Sequence, residues 1–338
     1  MRGYMKIVEN LPSSRCGVMT PPNVTGNKKV AHQKVNEYFK KNLTVSHKNC
    51  PLCEQSESEF QLISKYDYQG FQCPIVVCSR CGFVFQSSYL NNDCLSENYE
   101  KYSLLIRGKS LDEKYLSDLF NERLDRFSRN RFSYVKNFVD LSEGDLVVEV
   151  GCNDGVNLMP YKEMGCEVIG FDLDQRSFSA GIKNGLDLRS DDFFKWLDSA
   201  ETKPKLLIFC HFLEHLSRPS DFLSFMSSKV PEGTHVFIEV PGFRDETWVN
   251  SSSGIIGYMQ YEHLVCFEKA SLSFFMNKAN FSTIDCNEFV KGVFKKESKP
   301  IAVEIPKSNA FEYLYRVESR WSRSLKRRGK DFIKKLIS

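Results

Sequence analysis

The chain has 338 residues, 41 % hydrophobic and 13 % aromatic, with a formal net charge of +3. That length accommodates two domains, or one large domain with an appendage, and that composition supports a substantial core. The near balance of 46 basic and 43 acidic residues argues against a molecule built as a whole for nucleic acid. No apolar run is long enough to span a bilayer, and the amino-terminal stretch Met1–Asn10 lacks the continuous apolar segment of a signal peptide. A cytoplasmic protein is therefore expected, its 12 cysteines serving as thiols or metal ligands rather than as disulfides.

Residues 1–46 read as a leader followed by a helix. The leader is rich in Pro and Gly, and residues 28–43 form a basic amphipathic pattern with Val30, Val35, Tyr38 and Phe39 near one face. Residues 47–95 form a distinct unit, in which Cys50-Pro-Leu-Cys53 and Cys78-Ser-Arg-Cys81 bracket short β-type runs. Two such knuckles supply four thiolates, a closed tetrahedral shell, so Cys50, Cys53, Cys78 and Cys81 are expected to hold a structural Zn2+. Cys16, Cys73 and Cys94 fall outside that spacing. Residues 96–143 read as a helical linker or substrate lid, with Leu111, Tyr115, Leu119, Leu124, Phe127, Phe132, Val135 and Phe138 at helical spacing.

From residue 144 strands and helices alternate. Strands are predicted at Leu146–Val150, Glu167–Phe171, Asp187–Arg189, Leu206–Cys210 and His235–Val240, and then at Phe281–Lys291 and Pro300–Ile305. Helices are predicted between the first five and again at Lys269–Ala279. Short apolar strands separated by helices predict a doubly wound α/β sheet covered on both faces, complete by residue 306. The remaining residues, 307–338, read as a basic helix that caps the sheet or contacts a partner or an anionic surface.

The turn after the first of these strands, Glu149-Val-Gly-Cys-Asn-Asp-Gly155, carries most of the information. A dinucleotide fingerprint needs three glycines so that backbone N–H groups can approach a pyrophosphate. Here Asn153 stands where a middle glycine would be, and Glu149 and Asp154 place negative charge beside the turn. Such charge repels phosphate and suits a cation. Asp172, closing the second strand, is placed to bind ribose hydroxyls. A nucleoside carrying a positive charge and no phosphate describes S-adenosylmethionine.

Glu149–Gly155 resembles the first motif of class I S-adenosylmethionine-dependent methyltransferases, and its Asn-Asp-Gly ending resembles the sugar methyltransferases that carry an N-terminal zinc module. Val77-Cys-Ser-Arg-Cys-Gly-Phe-Val84 is similar to that module. The resemblance implies a seven-stranded Rossmann-like sheet and methyl transfer from S-adenosylmethionine to a sugar, whether nucleotide-linked, in a surface glycan or in a natural product. It implies a cofactor site of Glu149 at the methionine end, Gly151, Asn153, Asp154 and Gly155 in the turn, Asp172 on the ribose, Asp192 (with Asp191 as the near alternative) and Phe193 at the adenine, and His211 facing the cofactor. It further implies substrate contacts from Tyr99 and Tyr102, in the stretch Ser96–Ser103, and from Gln260.

His211-Phe-Leu-Glu-His215 fits a zinc-peptidase pattern when read alone, but its place at a strand end beside the cofactor turn resembles the methyltransferase segment. Gln260-Tyr-Glu-His-Leu264 looks like the family's Tyr-His-Glu-His-Leu segment, departing from it at Gln260 and Tyr261. His263 is the expected general base, with Glu262 and Tyr261 beside it. Two other acceptors fit the same cofactor: another small metabolite methylated on oxygen, or an RNA gripped by the zinc ribbon and the basic tail.

Overall fold

The computed structural model describes residues 26–108, 110–244 and 258–317. The leader up to residue 25, the Ser/Gly stretch 250–257 and the tail beyond residue 317 lie outside them. The first helix, Gly26–Lys40, buries Ala31, His32, Val35, Tyr38 and Phe39. Val30, expected on that face, is exposed instead: it lies five residues before Val35, off the three- and four-residue steps that keep side chains on one helix face.

The cysteine-bearing unit follows. Its strands are β1 (Thr44–Ser46), β2 (Phe60–Ser64), β3 (Ile75–Cys78), β4 (Val84–Gln86) and β5 (Ser88–Leu90). β2, β3 and β4 form an antiparallel meander, and β1 pairs with β5. The linker is helical at Asn92–Glu97 and Ser103–Arg107, joined by a π turn at Asn98–Tyr102. It is helical again at Glu113–Arg123 and Arg129–Lys136, joined by a second π turn at Leu124–Ser128. Such turns recur at functional sites.

The main sheet contains β6 (Leu146–Val150), β7 (Glu167–Phe171), β8 (Asp187–Arg189), β9 (Leu206–Cys210) and β10 (His235–Glu239). A short strand, β11 (Val265–Cys266), leaves it to pair with β4, so the cysteine unit takes its fourth strand from a distant part of the chain. β12 (Phe281–Cys286) and β13 (Lys291–Lys296) complete the main sheet in the order β12-β13-β10-β9-β6-β7-β8. β13 runs antiparallel to the other six strands of this sheet. The expected seven-stranded doubly wound sheet is thus observed.

Every residue of β6 and β9 is buried, because both faces of the sheet are covered. On one face Val148, Leu207, Phe209 and Ile238 pack with Leu223, Met226 and Phe275. On the other, Val147, Ile208 and Phe237 pack with Phe120, Val135 and Tyr161.

Two expectations need correction. The last two strands are Phe281–Cys286 and Lys291–Lys296, not Phe281–Lys291 and Pro300–Ile305. The chain reverses at Asn287–Val290, where Val290 adopts φ +53° and the Asn287 side chain accepts from Lys291 N–H, so one apparent strand is a hairpin. The described start of the tail does not cap the main sheet. Residues 310–317 are helical and pack Ala310, Tyr313, Leu314 and Val317 on Ile75, Val77 and Val84 of the cysteine unit.

Candidate active site

The strand order reverses between β6 and β9, so a crevice opens outside the carboxyl ends of these neighbours. Gly151, Asn153 and Gly155 all have positive φ, at +74°, +53° and +75°. A Cβ on Gly151 would sit 2.9 Å from the Phe212 ring, so the turn demands glycine there. Asp172 ties the two strand ends together, its carboxylate accepting from Asn153 N–H at 2.8 Å and Asp174 N–H at 2.9 Å.

Glu149 is only 1 % exposed. Its Oε1 accepts from Asn157 Nδ2 at 2.7 Å, while Oε2 has no hydrogen-bond partner. Burial pushes its pKa up to about 8. A buried carboxylate with an orphaned oxygen fits the ammonium of a bound amino acid, so the residues present suit S-adenosylmethionine.

The linker supplies two arginines that the sequence reading passed over. Arg123 pairs with Asp154 at 2.9 Å. Arg131 pairs with Glu239, donates from Nη1 to Asn157 Oδ1 at 3.0 Å and lies 3.4 Å from His211 Nε2. Arg123 and Arg131 stand eight residues apart across the π turn Leu124–Ser128, with the apolar Phe127 between them, so no charged face is evident in the sequence. Asp192 caps the helix Phe193–Ser199, accepting from Phe194 and Lys195 N–H, and Phe193 is buried 5.5 Å from the Phe171 ring.

At the end of β9, His211 takes φ +55° and donates its N–H to the Glu239 carbonyl. Beyond it lies a cluster of imidazoles around Glu214, which is 1 % exposed with neither oxygen hydrogen-bonded. His211 Nδ1 lies 3.4 Å and His215 Nε2 3.9 Å from Glu214 Oε1. Burial opposes ionisation of Glu214, but the three histidines outweigh it and hold the carboxyl below its ordinary range. His215 Nδ1 donates to the Glu262 carbonyl at 2.8 Å, with Tyr99 Oη 3.0 Å from the same nitrogen. His263 is 9 % exposed, and its Nδ1 is enclosed without a partner. Burial drives its pKa down to about 4 against the pull of Glu214.

Glu262 is buried and paired with Arg107, whose charge outweighs burial and keeps the carboxyl below its ordinary range. Tyr261 is enclosed, its hydroxyl donating to Asn98 Oδ1 at 2.9 Å. This segment is held from the cysteine unit. Gln86 Nε2 donates to the carbonyls of Gln260 and His263, both at 2.9 Å, and Asp67 accepts from Tyr261 N–H at 3.0 Å. Asp67, Gln86, Asn98 and Arg107 were not singled out in the sequence, because each acts on a residue more than 150 positions away. Tyr102 stands apart from this group, packed in the cluster of Tyr38 and Leu90 with its hydroxyl 3.4 Å from Glu97.

Cys50, Cys53, Cys78 and Cys81 converge, with all four sulfurs within 4.8 Å of one another. Cys50 and Cys81 are 3.7 Å apart, and Cys53 and Cys78 3.6 Å. A Zn–S bond of about 2.3 Å gives a tetrahedral edge of about 3.8 Å, so the donor set and its spacing fit zinc. Among the described residues no helix is long and apolar enough to cross a membrane.

A family described as a methyltransferase domain matches residues 115–285. The fold is similar to magnesium protoporphyrin IX methyltransferase from Synechocystis PCC 6803 with bound SAH (12 % identity, 61 % of this chain and 100 % of that one, TM-score 0.42). It is also similar to a SAM dependent methyltransferase from Archaeoglobus fulgidus (20 % identity, 63 % and 92 %, TM-score 0.40). A third likeness is to Haemonchus contortus phosphoethanolamine N-methyltransferase 2 in complex with S-adenosyl-L-methionine (14 % identity, 48 % and 44 %, TM-score 0.37). No curated protein sequence matches the chain.

Proposed function

The chain belongs to the methyltransferase-domain family that matches its residues 115–285, and from that premise we propose S-adenosylmethionine-dependent methyl transfer to a sugar. The supporting observation is a juxtaposition at neighbouring strand ends. A buried carboxylate with an orphaned oxygen, Glu149, closes β6, and an imidazole–carboxylate pocket opens beyond β9. The first suits a cationic amino-acid ligand and the second suits removal of a proton.

When bound, the cofactor supplies a methyl already activated by its sulfonium. The chain's task is then to align an acceptor and take its proton. Glu149 holds the methionine ammonium and Asp172 the ribose hydroxyls, using lone pairs left after its two backbone hydrogen bonds. Gly151, Asn153, Asp154 and Gly155 shape the turn, Asp192 and Phe193 flank the adenine, and His211 borders the cofactor. His263, neutral at working pH because burial lowers its pKa to about 4, takes the acceptor proton at Nε2. Its Nδ1 is buried, and the charge of nearby Glu214 compensates the imidazolium. Glu262, Tyr261 and Arg107 set the loop, while Tyr99 and Gln260 border the acceptor.

The sugar assignment rests on the resemblance of Asn153–Gly155, Val77–Val84 and Gln260–Leu264 to sugar methyltransferases, and the structural zinc on the two cysteine knuckles and their converging sulfurs. Mass spectrometry of reactions containing methyl-labelled cofactor and a panel of nucleotide sugars, glycan fragments and RNA tests it. A labelled methyl on a sugar is the expected result. Label on RNA or only on non-sugar metabolites overturns the assignment.

A further inference from the structure

We propose that Glu214, His215 and His263 form a second divalent-metal site, separate from the four cysteines, whose occupancy silences proton abstraction by His263. The three donor atoms lie within 4.8 Å of one another. Both Glu214 oxygens and His263 Nδ1 are buried without any hydrogen-bond partner. His215 is oriented as metal-binding imidazoles are: its Nδ1 donates to a backbone carbonyl, that of Glu262, which leaves the Nε2 lone pair facing Glu214 at 3.9 Å. A buried carboxylate whose oxygens make no hydrogen bond of good geometry, beside two imidazoles with nitrogens to share, suits a cation. One carboxylate and two imidazoles form the donor set of open zinc sites, which keep a fourth position free. Nitrogen ligands favour zinc, cobalt or nickel over magnesium or calcium. A proton on His211, 3.4 Å from Glu214, is the competing source of positive charge.

The inhibitory consequence rests on the reading of His263 as the proton acceptor. Abstraction at Nε2 requires the tautomer with hydrogen on Nδ1. A metal at Nδ1 takes that lone pair and leaves the ring hydrogen on Nε2, so Nε2 can no longer accept a proton.

The test uses the full chain with its cysteine site filled by one equivalent of Zn2+ and then titrated with Co2+. The expected result is a second equivalent with weak visible bands and no thiolate charge-transfer absorption. Glu214→Gln and His263→Ala should each lose that equivalent while keeping the first and an unchanged circular dichroism spectrum. Uptake of a single equivalent by the wild type, or of the second by both variants, overturns the site. Turnover that is unaffected by saturating Co2+ overturns the silencing. The base reading fails separately: if the metal-free His263→Ala enzyme still transfers methyl, His263 is not the acceptor, whatever the Co2+ titration shows.

Discussion

Glu149 and His263 are both buried, which raises the pKa of the first and lowers that of the second, and each makes a distinct prediction. Glu149 has its pKa raised from the ordinary 4.5 to about 8. The fold therefore favours its neutral form, and the resulting stabilisation, full below pH 4.5, is lost as the pH rises towards 8. Glu149→Gln should flatten that loss and raise the melting temperature of the cofactor-free enzyme at pH 8 by about 2–4 °C. The same change should weaken cofactor binding by about 2–5 kcal/mol, read by calorimetry, because it unpairs a buried ammonium. A variant that is more stable and still binds normally would remove Glu149 from the site. His263 works the other way. Its ordinary pKa of 6.5 falls to about 4, so its contribution is complete above pH 6.5 and is lost as the pH drops to about 4. His263→Asn should shallow the acid limb of the melting curve, and His263→Ala should abolish turnover while changing cofactor affinity less than about twofold. Equal loss of both would make the residue structural. At this scale the cofactor turn was legible because its function is local: positive φ and an acid at each strand end are written within 25 residues. The partners of His263 were not, because Gln86 and Glu214 reach it only through the fold.

Among the elements, the linker helix and the segment 260–266 set the geometry of the crevice. The linker presents Arg123 to Asp154 of the turn after β6 and Arg131 to Glu239 at the end of β10. Arg131→Met should leave the half-buried Glu239 with Lys291, at 3.0 Å, as its remaining close cation and cost about 1–3 kcal/mol of stability in denaturant unfolding. A loss below about 1 kcal/mol would show the pair to be well solvated. The strands β6, β7, β9 and β10 were readable from their apolar runs, whereas β8, Asp187-Leu-Arg189, has no buried residue. The hairpin β12–β13 was misread because nothing in Asn287-Glu-Phe-Val290 looks like a turn until Asn287 is seen to accept from Lys291 N–H. The strand β11 was not legible at all: two residues have no periodicity, and its pairing with β4 is a purely tertiary event.

For the whole molecule, the cysteine unit and the methyltransferase sheet meet at the loop that carries His263. Gln86 and Asp67 hold that loop, and both sit within or beside the sheet that the four cysteines organise. If the four cysteines hold zinc as proposed, its removal with a chelator should abolish turnover before cofactor binding, since Glu149 and Asp172 stand on the other sheet. Circular dichroism and calorimetry on the same sample check this, and parallel loss of both activities would indicate global unfolding. Gln86→Ala should imitate the chelator in milder form, lowering kcat about 10-fold with unchanged cofactor affinity.

The shared strand between β4 and β11 also limits how this architecture can be re-engineered. Grafting a foreign cysteine unit onto the sheet would strip residues 260–266 of their pairing edge and of both side-chain clamps. A working chimera must transplant that segment along with its host, so the loop bearing His263 and the four-cysteine appendage are inherited as one part.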